Sequence, residues 1–258
     1  MKKFLAVLLT AVMAIACCLG LTACGETNET SAIADGKLTI GYTNYAPMNY
    51  FDDNDNFIGF DTELAKAFCE EIGVEAKFVE INWNNKFIDL ETKAIDCIWN
   101  GMTITNAIKE KTAVSSPYFE NRQVIVCKPE NAYKYTNTNS ILNASSVAFE
   151  KGSAGDAVVT NLNLPQGKRV EANAQKDALL EVYSGSSEIA VIDLIMARFM
   201  TSTGTYSSLT YVDVGFETEN FGVAFRKIDA GLAKAFDLFI KLYKENGKFD
   251  ALDAKYFD

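Results

Sequence analysis

Leu38, Ile40 and Tyr42 alternate with polar neighbours, which predicts a strand with one buried face. Asp61 stands as a candidate N-cap for a helix whose Leu64, Ala65, Phe68, Cys69 and Ile72 fall on one side. Gly73 follows where a left-handed residue ends a helix. Ala76 to Ile81 reads as a second strand, Asn85 to Lys93 as a second helix, and Ile95 to Trp99 as a third strand apolar enough to be buried on both faces. Arg122 to Lys128 is a further strand, and Pro129 to Ser145 is polar and looped.

A second alternation then begins. Ser146–Phe149 predicts a strand, a helix starts near Gly155, and strands near Arg169–Glu171 and Glu188–Ile192 flank a helix over Gln175–Tyr183. A strand near Phe221–Phe225 precedes a final helix from Asp229 to Asn246. Leu232, Ala233, Phe236, Phe239, Ile240 and Tyr243 line its inner side and Gly247 closes it. Strand–helix alternation of this kind builds parallel sheets covered by helices. The pattern predicts an α/β protein of two lobes joined by crossing strands.

The beginning of the chain has a different character. Lys2 and Lys3 precede an apolar run from Phe4 to about Leu19, a charged start and hydrophobic stretch too short for a comfortable membrane span. Leu21-Thr22-Ala23-Cys24-Gly25 resembles the lipobox of bacterial lipoproteins. That resemblance implies a signal peptide over residues 1–23 and a lipidated Cys24 that anchors the mature chain outside the cell membrane. A diacyl anchor supplies the two chains that stable attachment requires. Residues 24–35 are polar and patternless and read as a flexible tether.

Composition narrows the chemistry. The 258 residues hold 24 basic and 34 acidic side chains, and removing the leader takes away two lysines and no acid. Such a surface repels phosphate backbones, so nucleic acid is not an expected partner. There is no histidine, which removes Ser-His-Asp and Cys-His catalysis and the commonest transition-metal ligand. Cys69, Cys97 and Cys127 each sit in an apolar run and read as buried thiols, with no spacing that suggests a metal site. No cofactor or metal is expected.

Trp99 to Phe119 (W-N-G-M-T-I-T-N-A-I-K-E-K-T-A-V-S-S-P-Y-F) carries the most information. Its Gly101-Met102-Thr103 and its Ser115, Pro117, Tyr118 and Phe119 resemble the cleft segment of the extracellular solute-binding proteins, family 3, the amino-acid receptors of bacterial ABC importers. The resemblance runs from about Lys37 to Phe257. It implies the type II periplasmic-binding-protein fold: two lobes, each a mixed, mostly parallel sheet flanked by helices. One lobe is expected from residues 36–124 and 218–258, with the C-terminal helix returning to it, and the other from 125–217. It implies a monomeric, non-enzymatic receptor that closes on a small ligand and docks on a membrane permease.

Ligands in open α/β sheets sit beyond the carboxyl ends of the strands. Four segments are expected there. Tyr42 to Tyr50 contributes Tyr45, which matches the aromatic that caps the ligand, with Tyr42 as a further cleft candidate. Trp83 matches the opposing aromatic. Asn100 to Thr105 brings Asn100, Gly101 and Met102, and Thr103 to offer a hydroxyl to a carboxylate. Glu150 to Gly155 brings Glu150, Ser153 and Ala154 at a helix start suited to an anion. Asp193 matches the acceptor for an α-amino group.

One position departs from the family pattern. Where its members place an arginine for the ligand's α-carboxylate, this chain has Ile108. Three remedies are open: Lys109 or Lys111 swings in, Arg122 reaches the cleft, or the ligand is a cationic amine without a free α-carboxylate. Two functions of other classes are also open. One is a dehydratase of the cyclohexadienyl type with Glu150, Glu217 or Glu219 as general acid; the other is a sensory binding domain.

Overall fold

The computed structural model describes residues 33–257. The leader, Cys24 and all but the last three residues of the expected tether lie outside the described residues. Among the described residues no helix is long and apolar enough to cross a membrane.

The chain opens with β1 (Lys37–Tyr42), a small hairpin of β2 (Tyr50–Phe51) and β3 (Phe57–Ile58), α1 (Phe60–Glu71), β4 (Glu75–Glu80), α2 (Lys86–Glu91), β5 (Cys97–Ile98), α3 (Asn106–Lys111) and β6 (Ala113–Val114). β7 (Phe119–Cys127) leads to β8 (Val147–Glu150), α4 (Ala154–Asn161), β9 (Arg169–Ala172), α5 (Gln175–Ser184), β10 (Ile189–Asp193), α6 (Leu194–Ser202) and β11 (Thr210–Val212). β12 (Thr218–Phe221), β13 (Ala224–Phe225), α7 (Ala230–Glu245) and α8 (Lys248–Phe257) complete the fold.

Beside the β2–β3 hairpin there are two larger sheets, one per lobe. The first has the order β4-β1-β5-β13-β6, with β1 parallel to β4 and β5, and β13 antiparallel to β5 and β6. The second has the order β11-β7-β10-β8-β9, with β10, β8 and β9 parallel and β7 antiparallel to β10 and β11. β7 serves both ends of the molecule. Its Phe119–Arg122 half pairs with β12, and its Gln123–Cys127 half lies in the second sheet.

The periodic helices form as expected. α1 buries Leu64, Ala65, Phe68 and Cys69, and α7 buries Leu232, Ala233, Phe236, Phe239 and Ile240. Phe68 meets Phe236 at a centroid distance of 5.5 Å, and Trp99 meets it at 4.9 Å. Edge-on pairs of this kind contribute about 0.5–1.5 kcal/mol each beyond their buried area. The three thiols are unpaired and buried.

Several local expectations are corrected. Asp61 does not cap α1, since Gly59 precedes that helix and the Asp61 carboxylate turns inward. α2 is shorter than Asn85–Lys93, because Trp83–Asn85 form a 3-10 turn in which Asn82 accepts from the Asn84 N–H. Only Cys97 and Ile98 of the third strand are paired in register, although the Asp96 and Trp99 N–H groups still bond β1 carbonyls. The 129–145 loop contains two 3-10 turns, and the strand expected at Phe221–Phe225 is interrupted at Gly222, where the Ile104 side chain fills the space a Cβ would need.

Candidate functional site

A cavity of about 120 Å³ lies between the lobes, beyond the ends of β1, β5, β8 and β10. It gathers Tyr45, Trp83, Asn100, Gly101, Met102, Thr103, Ile108, Glu150, Ser153, Ala154 and Asp193 from the sequence expectations around one space. It also brings in Lys86, Phe87 and Gln175, which the sequence reading did not name. Tyr42 is the exception: it does not line the cavity and packs against Phe57 at 4.6 Å and Phe78 at 6.3 Å.

Asp193 is the most constrained group. It ends β10 and is 3% exposed. Its Oδ1 accepts from Asn121 Nδ2 at 2.7 Å and Gln123 Nε2 at 2.5 Å, and its Oδ2 from Gln175 Nε2 at 2.6 Å. Asn121 and Gln123 alternate along β7, so both point inward while Arg122 points out and pairs with Asp213 at 3.1 Å. That geometry removes Arg122 as a remedy for Ile108. Burial pushes the Asp193 pKa up, and Gln175, the Tyr45 hydroxyl, Gln123 and Asn121 oppose the shift.

Two further carboxylates accompany it. Glu150 is buried at the end of β8, and its Oε1 has no hydrogen-bond partner among the described residues. Burial, then the charge of Asp193, raise its pKa well above the usual range, and Lys86 opposes this. Glu219 accepts from Thr103 Oγ1 at 3.0 Å and from Gln123 Nε2 at 3.1 Å. Burial, then Asp193, push its pKa up to about 7. The Thr103 hydroxyl is therefore bonded to Glu219, where a donor to a ligand carboxylate was expected. Glu217 is exposed.

The aromatic groups and the backbone complete the walls. Trp83 is buried in the 3-10 turn before α2. Tyr45 is buried too. Its hydroxyl lies beside the Asp193 carboxylate; burial, then that charge, raise its pKa well above the usual value. Gly101 adopts φ +54, and a Cβ there would stand 2.5 Å from the Tyr45 ring. Its N–H donates to Asp61 Oδ2 at 2.6 Å, and Asp61 Oδ1 accepts from the Tyr118 hydroxyl at 2.7 Å. Asn100 is committed to the scaffold: its amide donates to the Thr43 carbonyl and to Asn49, and its oxygen accepts from Thr43. Ser153 caps α4 by accepting from the Asp156 N–H at 3.3 Å, which leaves its own proton available.

The positive side was missed by the sequence reading. Ile108 is buried in an apolar cluster with Trp83, Leu90, Ile98 and Met102. Lys109 and Lys111 are exposed, and the Lys111 ammonium lies 4.4 Å from the Phe87 ring centroid. Lys86 instead is 7% exposed, donates to the Trp83 carbonyl at 3.1 Å and to the Gly152 carbonyl at 2.9 Å, and lies 4.9 Å from the Trp83 ring centroid. Burial is the main cause of its lowered pKa, about 8. The Gly152 contact crosses the cleft, so the lobes touch around the cavity.

The site stands on a fold that other proteins share. The chain is 30% identical over 260 residues to the arginine-binding extracellular protein ArtP of Bacillus subtilis (strain 168), covering 100% of this chain and 98% of that protein. The structure superposes on holo ArgBP from T. maritima with a TM-score of 0.76 at 30% identity, covering 88% of this chain and 98% of that one. An ancestral amino acid-binding protein, AncCDT-1, described as a precursor of cyclohexadienyl dehydratase, superposes with a TM-score of 0.80 at 31% identity over 88% of this chain and 98% of that one. The family model for bacterial extracellular solute-binding proteins, family 3, matches residues 38–258, and the chain belongs to that family.

Proposed function

We propose that the chain is the substrate receptor of an ABC importer, which takes an amino acid or a related small amine-bearing solute between its lobes and delivers it to a membrane permease. The observation that carries this reading is Asp193: a buried carboxylate fixed by three amides, with the unpartnered oxygen of Glu150 at the same cavity. Acceptors held in this way suit an ammonium, because a charge-assisted bond in a dry cleft is stronger than a neutral one. Tyr45 and Trp83 supply apolar walls for the rest of the solute. The arginine-binding description of ArtP agrees with such a ligand. The receptor is a binder and not a catalyst, and it is tethered outside the membrane through a lipidated Cys24.

A second reading takes a cationic amine without an α-carboxylate. It is favoured by Thr103, whose hydroxyl is bonded to Glu219, together with Ile108.

A thermal-shift screen with the proteinogenic amino acids and small amines tests both. A ligand at 100 times its dissociation constant adds about 2.7 kcal/mol, or roughly 5–10 °C for a protein of this size. No shift with any of them would sink the proposal. Shifts confined to amines lacking a carboxylate would select the second reading.

A further inference from the structure

Lys86 is the one lysine or arginine that lines the cavity among the described residues. The other charged groups lining it, Glu150 and Asp193, are acids, and Glu219 stands directly behind through Thr103 and Gln123. The cavity therefore holds both signs of charge, the Glu150 and Asp193 carboxyls and the Lys86 ammonium, with Glu150 and Lys86 close enough to act on each other. A lysine ammonium has three N–H groups. Two are spent on the Trp83 and Gly152 carbonyls, which belong to opposite lobes. The third remains for a bound solute. The first N–H groups of α4, at Ala154, also line this space and have no intrahelical acceptor.

We propose that Lys86 reads the carboxylate of the bound solute and, through the Gly152 carbonyl, couples that reading to closure of the lobes. This rests on the amino-acid reading above. The ligand's amine would lie toward Asp193 and Glu150, and its carboxylate toward Lys86, Ser153 and the start of α4. A buried ammonium facing a ligand carboxylate keeps a full counter-charge once water is expelled. Without one it has only the Trp83 and Gly152 carbonyls and the neighbouring Glu150. Because one nitrogen holds both the solute and the opposite lobe, a solute lacking the carboxylate leaves the clasp less completely satisfied. The rival role for Lys86 is to neutralise Glu150 without touching ligand. The two roles differ in which ligands feel its loss.

The experiment uses L-arginine and L-histidine with agmatine and histamine, their decarboxylated counterparts, measured by titration calorimetry on the wild type, Lys86→Met and Lys86→Arg. The wild type should bind at least one amino acid about tenfold or more tighter than its decarboxylated counterpart. Lys86→Met should weaken that amino acid by about a hundredfold or more and change the counterpart by less than about threefold, which erases the preference. Lys86→Arg should keep it. Small-angle scattering should show the wild type compacting with the amino acid and Lys86→Met compacting less. Circular dichroism and ligand-free melting establish that each variant is folded. Equal weakening of both ligands by Lys86→Met overturns the assignment and leaves the receptor function standing. A wild type that prefers the decarboxylated ligands overturns it as well. Wild type that binds none of the four, with no shift in the wider screen, overturns the function and this assignment together.

Discussion

Glu219 and Asp193 share one desolvated corner, and Gln123 Nε2 bonds both. Two carboxylates so placed resist carrying two charges, and burial, then Asp193, hold the Glu219 pKa near 7. Below that pH Glu219 keeps a proton and offers no charge to an ammonium. Above it the charge is present. Binding of a cationic solute should therefore weaken as pH falls from 8 to 6, by at most about tenfold per unit for one linked proton, and should release protons near pH 7. Calorimetry in buffers of different ionisation enthalpy measures both. Glu219→Gln should flatten the slope, and a slope unchanged in that variant would assign the proton elsewhere. Tyr45, Trp83 and Asp193 were legible because each stands after a recognisable strand within a family-like segment. Lys86 was not. It lies in a helical stretch where lysines usually face solvent, and its burial is made by a carbonyl 66 residues away on the other lobe.

The Gly101 turn shows how an inward acid can shape a neighbouring loop. Asp61 sits in the first turn of α1, yet its carboxylate fixes the Gly101 N–H and the Tyr118 hydroxyl, and burial lifts its pKa to about 7. Gly101→Ala would place a Cβ at positive φ and 2.5 Å from the Tyr45 ring. A left-handed non-glycine residue costs about 1–2 kcal/mol, and displacing Tyr45 adds to it. Chemical denaturation should show a loss of about 1–3 kcal/mol, with weaker ligand binding because a cavity wall has moved. α1 and α7 were readable from their apolar stripes. The hairpin of β2 and β3 and the helices α6 and α8 were not, since two-residue strands carry no period and α6 is apolar on several sides. The start of β7 was missed too. Phe119 read as the end of the cleft segment and Glu120 and Asn121 were assigned to no element, since their partner β12 lies about a hundred residues on.

Between the two lobes, contact is sharpest where Gly152 meets the α2 side. Gly152 adopts φ +73, and a Cβ there would lie 3.1 Å from Asn84 Oδ1 on the facing lobe. Gly152→Ala should cost about 1–2 kcal/mol in stability from backbone strain alone. It should also oppose closure, so affinity for whichever amino acid the screen selects should fall while scattering shows a larger radius of gyration with ligand present. Unchanged affinity would mean that the lobes tolerate the added methyl group. The general plan of two α/β lobes was legible from the repeated alternation of strand and helix. How tightly they meet was not, because no local pattern records contacts made across a cleft. Asn121 and Gln123 lie on β7, one half of which pairs with β12 and the other with β10, so the carboxylate they grip is held from the strand that links the two sheets. On the proposed opening of the lobes, Trp83 and Lys86 should move away from Asp193 while Asn121 and Gln123 keep their hold on it, which a ligand-free crystal structure would check.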